Sequence, residues 1–167
     1  DIIVHTESKN PLILGLKSRL VIETKNNFGE NWPTKFEIVS SKNEVIVNSE
    51  TDSLGLGLVE FTPSELGQYR VLAGAKSFSI PNVVREGIVL ASDYISSLDL
   101  LRIHIQNKRP DLDSIHMVIL KDAQIVYFNK MPCRLPSFLF KVELPSNPGT
   151  LNIFLLDKKY QILAEKT

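Results

Sequence analysis

The sequence predicts an all-β chain of two tandem antiparallel β-sandwiches, residues 1–81 and 82–167. Three observations lead there. The stretch Pro63-Ser64-Glu65-Leu66-Gly67 returns as Pro145-Ser146-Asn147-Pro148-Gly149. The same offset carries the apolar rhythm of Tyr69, Val71 and Ala73 onto Leu151, Ile153 and Leu155. Self-similarity at a spacing of about eighty residues is too long for a solenoid repeat and matches a duplicated small domain. Finally, apolar residues alternate with polar ones in short runs, about seven per half, which is the strand count of a sandwich.

In the first half, Leu20, Ile22 and Thr24 alternate with Arg19, Val21 and Glu23. After the break at Asn26-Asn27-Phe28-Gly29, a second strand is expected around Phe36, Ile38 and Val39. Ser40-Ser41-Lys42-Asn43 reads as a hairpin connection into Val45-Ile46-Val47, and Asp52-Ser53-Leu54-Gly55 precedes a strand over residues 56–61. The turn at Pro63 to Gly67 leads into a strand from Tyr69 to Ala73, and Phe78-Ser79-Ile80 closes the unit. Pro81-Asn82 is the expected boundary. Pro81 restricts Ile80 to extended conformations, so a short stiff link is expected over Ile80 to Val84, with Ile80, Val83 and Val84 supplying an apolar contact between domains.

The second half repeats this order. Leu101, Ile103 and Ile105 alternate with Arg102, His104 and Gln106, and residues 115–120 read as a more fully buried strand. Lys121-Asp122-Ala123-Gln124 matches the earlier hairpin connection and leads into residues 125–128. Phe138, Phe140 and Val142 mark the next strand, and residues 151–156 and 160–163 complete the set. A competing helical spacing of Tyr94, Leu98 and Leu101 behind Ser92 or Asp93 is read as a turn or a short helix at most.

Composition bounds the function. With 43% hydrophobic and 23% charged residues the chain is globular, and 19 basic against 19 acidic residues leave no net field to attract nucleic acid. No apolar run is long enough for a membrane helix, and the opening Asp1-Ile2-Ile3-Val4 lacks the succession of a signal peptide. A mature chain or an excised segment is expected. The lone Cys133 forms no internal disulfide, so cysteine content does not decide the compartment, although its scarcity is compatible with a bacterial exported protein.

Several short motifs carry a family likeness. They are Gly15-Leu16-Lys17-Ser18-Arg19-Leu20, the Asn27-Phe28-Gly29 turn, Leu54-Gly55-Leu56-Gly57, and Glu60-Phe61-Thr62-Pro63 through Gly67-Gln68-Tyr69. Together they resemble a macroglobulin-like domain, an immunoglobulin-like β-sandwich related to alpha-2-macroglobulin. The second half, from Gly87-Ile88-Val89-Leu90 through Val142-Glu143-Leu144-Pro145 to residues 151–156, is similar to the module that often follows it in large exported bacterial envelope proteins. One departure is at the start, where a Gly-rich entry is replaced by Glu7-Ser8-Lys9-Asn10. The resemblance implies a non-catalytic spacer or docking segment of an extracytoplasmic protein, in the periplasm or at the cell surface and associated with the outer membrane. It does not imply protease trapping, because trapping members need a Cys-Gly-Glu-Gln thioester run and Cys133 sits in Met131-Pro132-Cys133-Arg134-Leu135.

Candidate sites are few. Arg134 beside Cys133 would favour a thiolate, but no His lies nearby in sequence to complete a Cys-His pair, so a structural loop Cys is expected. His5, His104 and His116 show no ligand spacing, and Asp111-Leu112-Asp113-Ser114 lacks the Gly and distal Glu of a calcium loop. There is neither a Gly-x-Ser-x-Gly elbow nor a glycine-rich phosphate cradle. Trp32, in the loop Asn31-Trp32-Pro33, is the nominated partner contact; the competing reading, and the favoured one, has its indole covering one end of the first core. Exposed sheet edges are a further interaction surface. The sequence therefore points to a non-enzymatic module without cofactor or metal. Its expected partners are proteins or neighbouring domains of the parent chain, and the alternative is a carbohydrate-binding or adhesive module.

Overall fold

Alternation of apolar and polar residues produces strands almost throughout the chain. The computed structural model describes residues 1–7, 11–133, 135–144 and 149–167. The fold is all-β and built mainly of antiparallel sheets. It divides into two compact units, residues 1–7 with 11–85 and residues 86–167.

In the first unit the strands are Ile2–Thr6 (β1), Leu12–Ile13 (β2), Ser18–Thr24 (β3), Lys35–Val39 (β4), Val45–Glu50 (β5), Leu56–Phe61 (β6), Arg70–Ala73 (β7), Lys76–Ser79 (β8) and Val83–Val84 (β9). One sheet has the order β1-β3-β6 and the other β5-β4-β7-β8. In β3 the period of two is complete: Ser18, Leu20, Ile22 and Thr24 are buried and the residues between them are not. Leu20, Ile22, Val59 and Phe61 from the first sheet join Phe36, Ile38 and Val71 from the second in one buried cluster. Burying each such large side chain contributes about 1.5–3 kcal/mol, so this shared core is what holds the two sheets together.

Val83 and Val84 pair in parallel with Leu12 and Ile13. Ile80 and Val83 are buried in the first core itself. The apolar residues that the sequence assigns to a link between domains are thus used inside the first unit.

The second unit contains Ile88–Ile95 (β10), Leu100–Asn107 (β11), Ser114–Lys121 (β12), Gln124–Pro132 (β13), Ser137–Glu143 (β14), Leu151–Leu156 (β15) and Ile162–Lys166 (β16). Its sheets run β10-β11-β14 and β13-β12-β15-β16, the same order as in the first unit when strands are matched in sequence. The irregularities match as well. The β4–β5 register shifts between Ile38 and Val39, and the β12–β13 register shifts between Ile119 and Leu120. Ile103, Ile105, Ile115, Met117, Ile119, Ile153 and Leu155 lie in the second core.

The spacing read as a turn or short helix agrees with the structure, and one strand boundary is corrected. Ser92 to Ile95 continue β10, because all eight of its residues pair with β11, and the helical spacing yields only one 3-10 turn at Ser96–Leu98. That turn ends at Asp99, whose φ of 46° lies in the left-handed region. Tyr160 is not in a strand but in the turn before β16, at φ 61°. Asp157 Oδ1 accepts the N–H groups of Lys159 and Gln161 at 2.7 and 2.9 Å, which holds the chain in that turn until Ile162. The repeat at Pro145 to Pro148 and the entry at Ser8 to Asn10 lie outside the described residues.

Candidate interaction site

Trp32 sits in the loop between β3 and β4, and its backbone is pinned. Thr24 Oγ1 donates to the Trp32 carbonyl at 2.6 Å, and Trp32 N–H donates to the Thr24 carbonyl at 3.1 Å. Thr24 Oγ1 also lies 2.8 Å from Thr51 Oγ1, tying this loop to the β5–β6 connection. Gly55 in that connection has φ +69°, and a Cβ there would stand 2.5 Å from the Thr24 carbonyl and 3.0 Å from Trp32 N. Only glycine fits such an approach. The indole itself points away from this anchorage: Trp32 is 57% exposed and not among the residues packed on the first core. Phe28, on the neighbouring turn, is 89% exposed, and Leu54 is exposed beside Gly55. A rigid loop base presenting apolar side chains to solvent is a geometry suited to contact.

The polar candidates are used internally. Cys133 is half-buried, its N–H donates to the Asp113 carbonyl at 2.9 Å, and burial, followed by the Asp113 charge, pushes its thiol above the usual range. A raised pKa disfavours the nucleophilic thiolate. Arg134 lies outside the described residues. Arg109 Nε donates to Asp111 Oδ1 at 3.0 Å, and that hydrogen bond holds the Asp111 carboxyl below its usual range. Asp113 stands 3.9 Å from Lys158 Nζ. His5 lies 3.7 Å from Glu23, and His104 Nε2 is 2.8 Å from Ser137 Oγ. Among the described residues no group of three or more His, Cys, Asp and Glu could hold a metal ion. No helix among them is long and apolar enough to cross a membrane.

The feature missed in the sequence is in the second unit. His116 is only 5% exposed although it lies on the outward phase of β12, opposite in direction to Ile115 and Met117. Its ring stacks on Phe128 and Tyr160, with centroids 5.8 and 5.1 Å apart and planes inclined by 18° in both cases. Phe128 and Tyr160 are themselves more than half exposed. The signal was present as the second apolar phase of Ile115 to Leu120, but nothing in one strand shows which neighbours cover it.

No protein-family model and no curated protein matches this chain.

Proposed function

We propose that the chain is a tandem pair of immunoglobulin-like, macroglobulin-like β-sandwiches. They act as a non-catalytic structural or protein-interaction segment of a larger extracytoplasmic bacterial envelope protein. The observation that carries this reading is the repeated strand order, three strands against four, in both units. It is supported by Tyr69, which immediately precedes β7 and whose hydroxyl oxygen accepts the N–H groups of Ser64 and Glu65 at 3.1 and 3.3 Å. A tyrosine entering the sixth main strand and bonding back to the upstream corner is a hallmark of immunoglobulin-like sandwiches. The exposed Trp32, Phe28, Phe128 and Tyr160 give the pair apolar contact surfaces on stiff β scaffolds.

Cell fractionation with an antibody against this chain tests the assignment. A band longer than 167 residues in the periplasmic or outer-membrane fraction supports it, whereas a cytoplasmic product of this length alone overturns it. A second reading, carbohydrate binding, is favoured by Trp32 and Phe28 standing exposed on one loop. Oligosaccharide titration followed by Trp32 fluorescence separates the two: saturable quenching that Trp32→Ala removes establishes the carbohydrate reading.

A further inference from the structure

One loop frame recurs at residues 26–30, 40–44, 52–56 and 157–161. In each, a side-chain oxygen of the first residue (Asn26, Ser40, Asp52 or Asp157) accepts the N–H groups of the third and fifth residues at 2.7–3.2 Å. The fourth residue (Gly29, Asn43, Gly55 or Tyr160) has positive φ and donates its N–H to the first carbonyl, while the first N–H donates to the fifth carbonyl. This frame leaves the third position free to vary. It holds Lys42 and Lys159 in two loops but Phe28 and Leu54 in the other two, and all four residues are exposed. The two loops with apolar apices are also the two whose bases are joined. Thr24 N–H donates to the Gly55 carbonyl at 2.8 Å, and Gly55 lies against the backbone N of the exposed Trp32. The loop at the opposite end of β4 carries Lys42 instead. An apolar cluster that the frame does not require marks an interaction surface.

We infer that Phe28, Leu54 and Trp32 form a tip that inserts into the interface of a phospholipid bilayer without net charge. The inference rests on the extracytoplasmic envelope reading, which puts a membrane within reach, and names the surface this loop end takes. Charge and backbone bonding select the occupant. Across residues 26–33 and 52–56 the charged side chains are Glu30 and Asp52. Both are spent inside their own loops: Glu30 Oε2 accepts Asn26 Nδ2 at 2.9 Å, and Asp52 Oδ1 accepts the N–H groups of Leu54 and Leu56. A sugar site would aim such carboxylates at ligand hydroxyls, and an ionic protein contact would leave them free. The N–H groups of the first, third, fourth and fifth residues of both loops are bonded within the loop. A tip that satisfies its own amides suits surroundings that offer no partners, which is the demand lipid makes. The apices project from turns, and a bilayer takes projecting apolar side chains without a matching shape. Tryptophan, with an apolar body and one polar N–H, settles at the level of the headgroups.

Titration of the full chain with phosphatidylcholine vesicles tests this, and Trp32, the only tryptophan, reads the tip directly. A saturable blue shift of its emission is expected, with quenching by lipids brominated on their acyl chains and no weakening at raised salt. Phe28→Ser and Leu54→Ser, both at exposed positions, should each weaken vesicle binding about tenfold while the circular dichroism of the fold is kept. Phe128→Ser, an equally exposed aromatic in the second unit, should leave binding unchanged. Absence of binding at every lipid concentration overturns the inference. Binding that raised salt abolishes also overturns it, because the contact is then ionic, as does binding that Phe28→Ser and Leu54→Ser leave intact or that Phe128→Ser removes. An oligosaccharide that shifts Trp32 emission without vesicles overturns it by giving the tip another occupant. Fractionation of the parent protein tests the underlying reading separately, so an envelope protein that ignores vesicles defeats only the present inference.

Discussion

Ile38 and Ile119 hold the same place in their two units. Each is fully buried in a central strand, each lies immediately before a register shift, and each pairs on the other side with a buried residue, Val71 or Ile153. Such a match at roughly eighty positions' separation connects the repeat in the sequence to repeated packing.

Because the two cores share no residue, their contributions to stability should separate. Ile38→Ala and Ile119→Ala should each cost about 2–5 kcal/mol in their own unit, as deletion of a buried isoleucine does. Trp32 is the only tryptophan and belongs to the first unit, so its fluorescence in urea reports that unit. The expected result is a lower midpoint for Ile38→Ala and an unchanged one for Ile119→Ala. Equal shifts in both variants would show a single cooperative unit.

Tyr69→Phe removes the acceptor for Ser64 and Glu65 while leaving the ring, which lies 5.4 Å from Phe61, in place. Two part-buried amides lose their partner, and the expected loss is about 1–3 kcal/mol by urea unfolding. An unchanged midpoint would remove this corner from the forces holding β7. Leu151 occupies the matching position by sequence offset and has no hydroxyl to make such a bond.

Gly55 and Gly29 give a paired comparison, since both have positive φ, +69° and +82°. Gly29→Ala meets nothing within 4 Å and should cost only the strain of the left-handed backbone, about 1 kcal/mol. Gly55→Ala meets backbone atoms of Thr24 and Trp32 as well, so its loss should be clearly larger and should disturb the amide resonances of both residues. Equal losses would mean that the two loops can move apart at no cost.

Cys133→Ser should leave the unfolding midpoint nearly unchanged at neutral pH, and Cys133 should be alkylated more slowly than a free thiol. The sign follows from its raised pKa: the folded state favours the protonated thiol. Stability from this group is present below the ordinary thiol range and is lost as pH rises through the folded value. Alkylation faster than that of a model thiol at neutral pH would reverse this assignment.

The β3 alternation, the hairpin turn at Asp122 and Ala123, and the glycine at position 55 were all legible in the sequence. Each is a local demand: a strand with one wet face needs a period of two, and a tight turn needs residues that tolerate positive φ. Asp122 and Ala123 have φ of 49° and 65° and connect the paired Lys121 and Gln124 as a two-residue turn. The helical spacing around Tyr94 yields only a short turn because all eight residues of β10 pair in register with β11.

Local pattern could not place Ile80 and Val83, which read equally well as a link or as core, since burial depends on which distant strands leave a gap. Nor could it place Trp32, whose indole is exposed while its backbone is held by Thr24 at the end of β3, itself tied to Thr51 and Gly55 of the β5–β6 connection. The sequence by itself determined strands, turns and the repeat, all set by neighbours within a few residues. Which apolar faces are covered was decided by tertiary structure alone. The outward rows of Val118, Phe128 and Phe154 come from three strands, and one strand's periodicity carries no record of the residues aligned beside it.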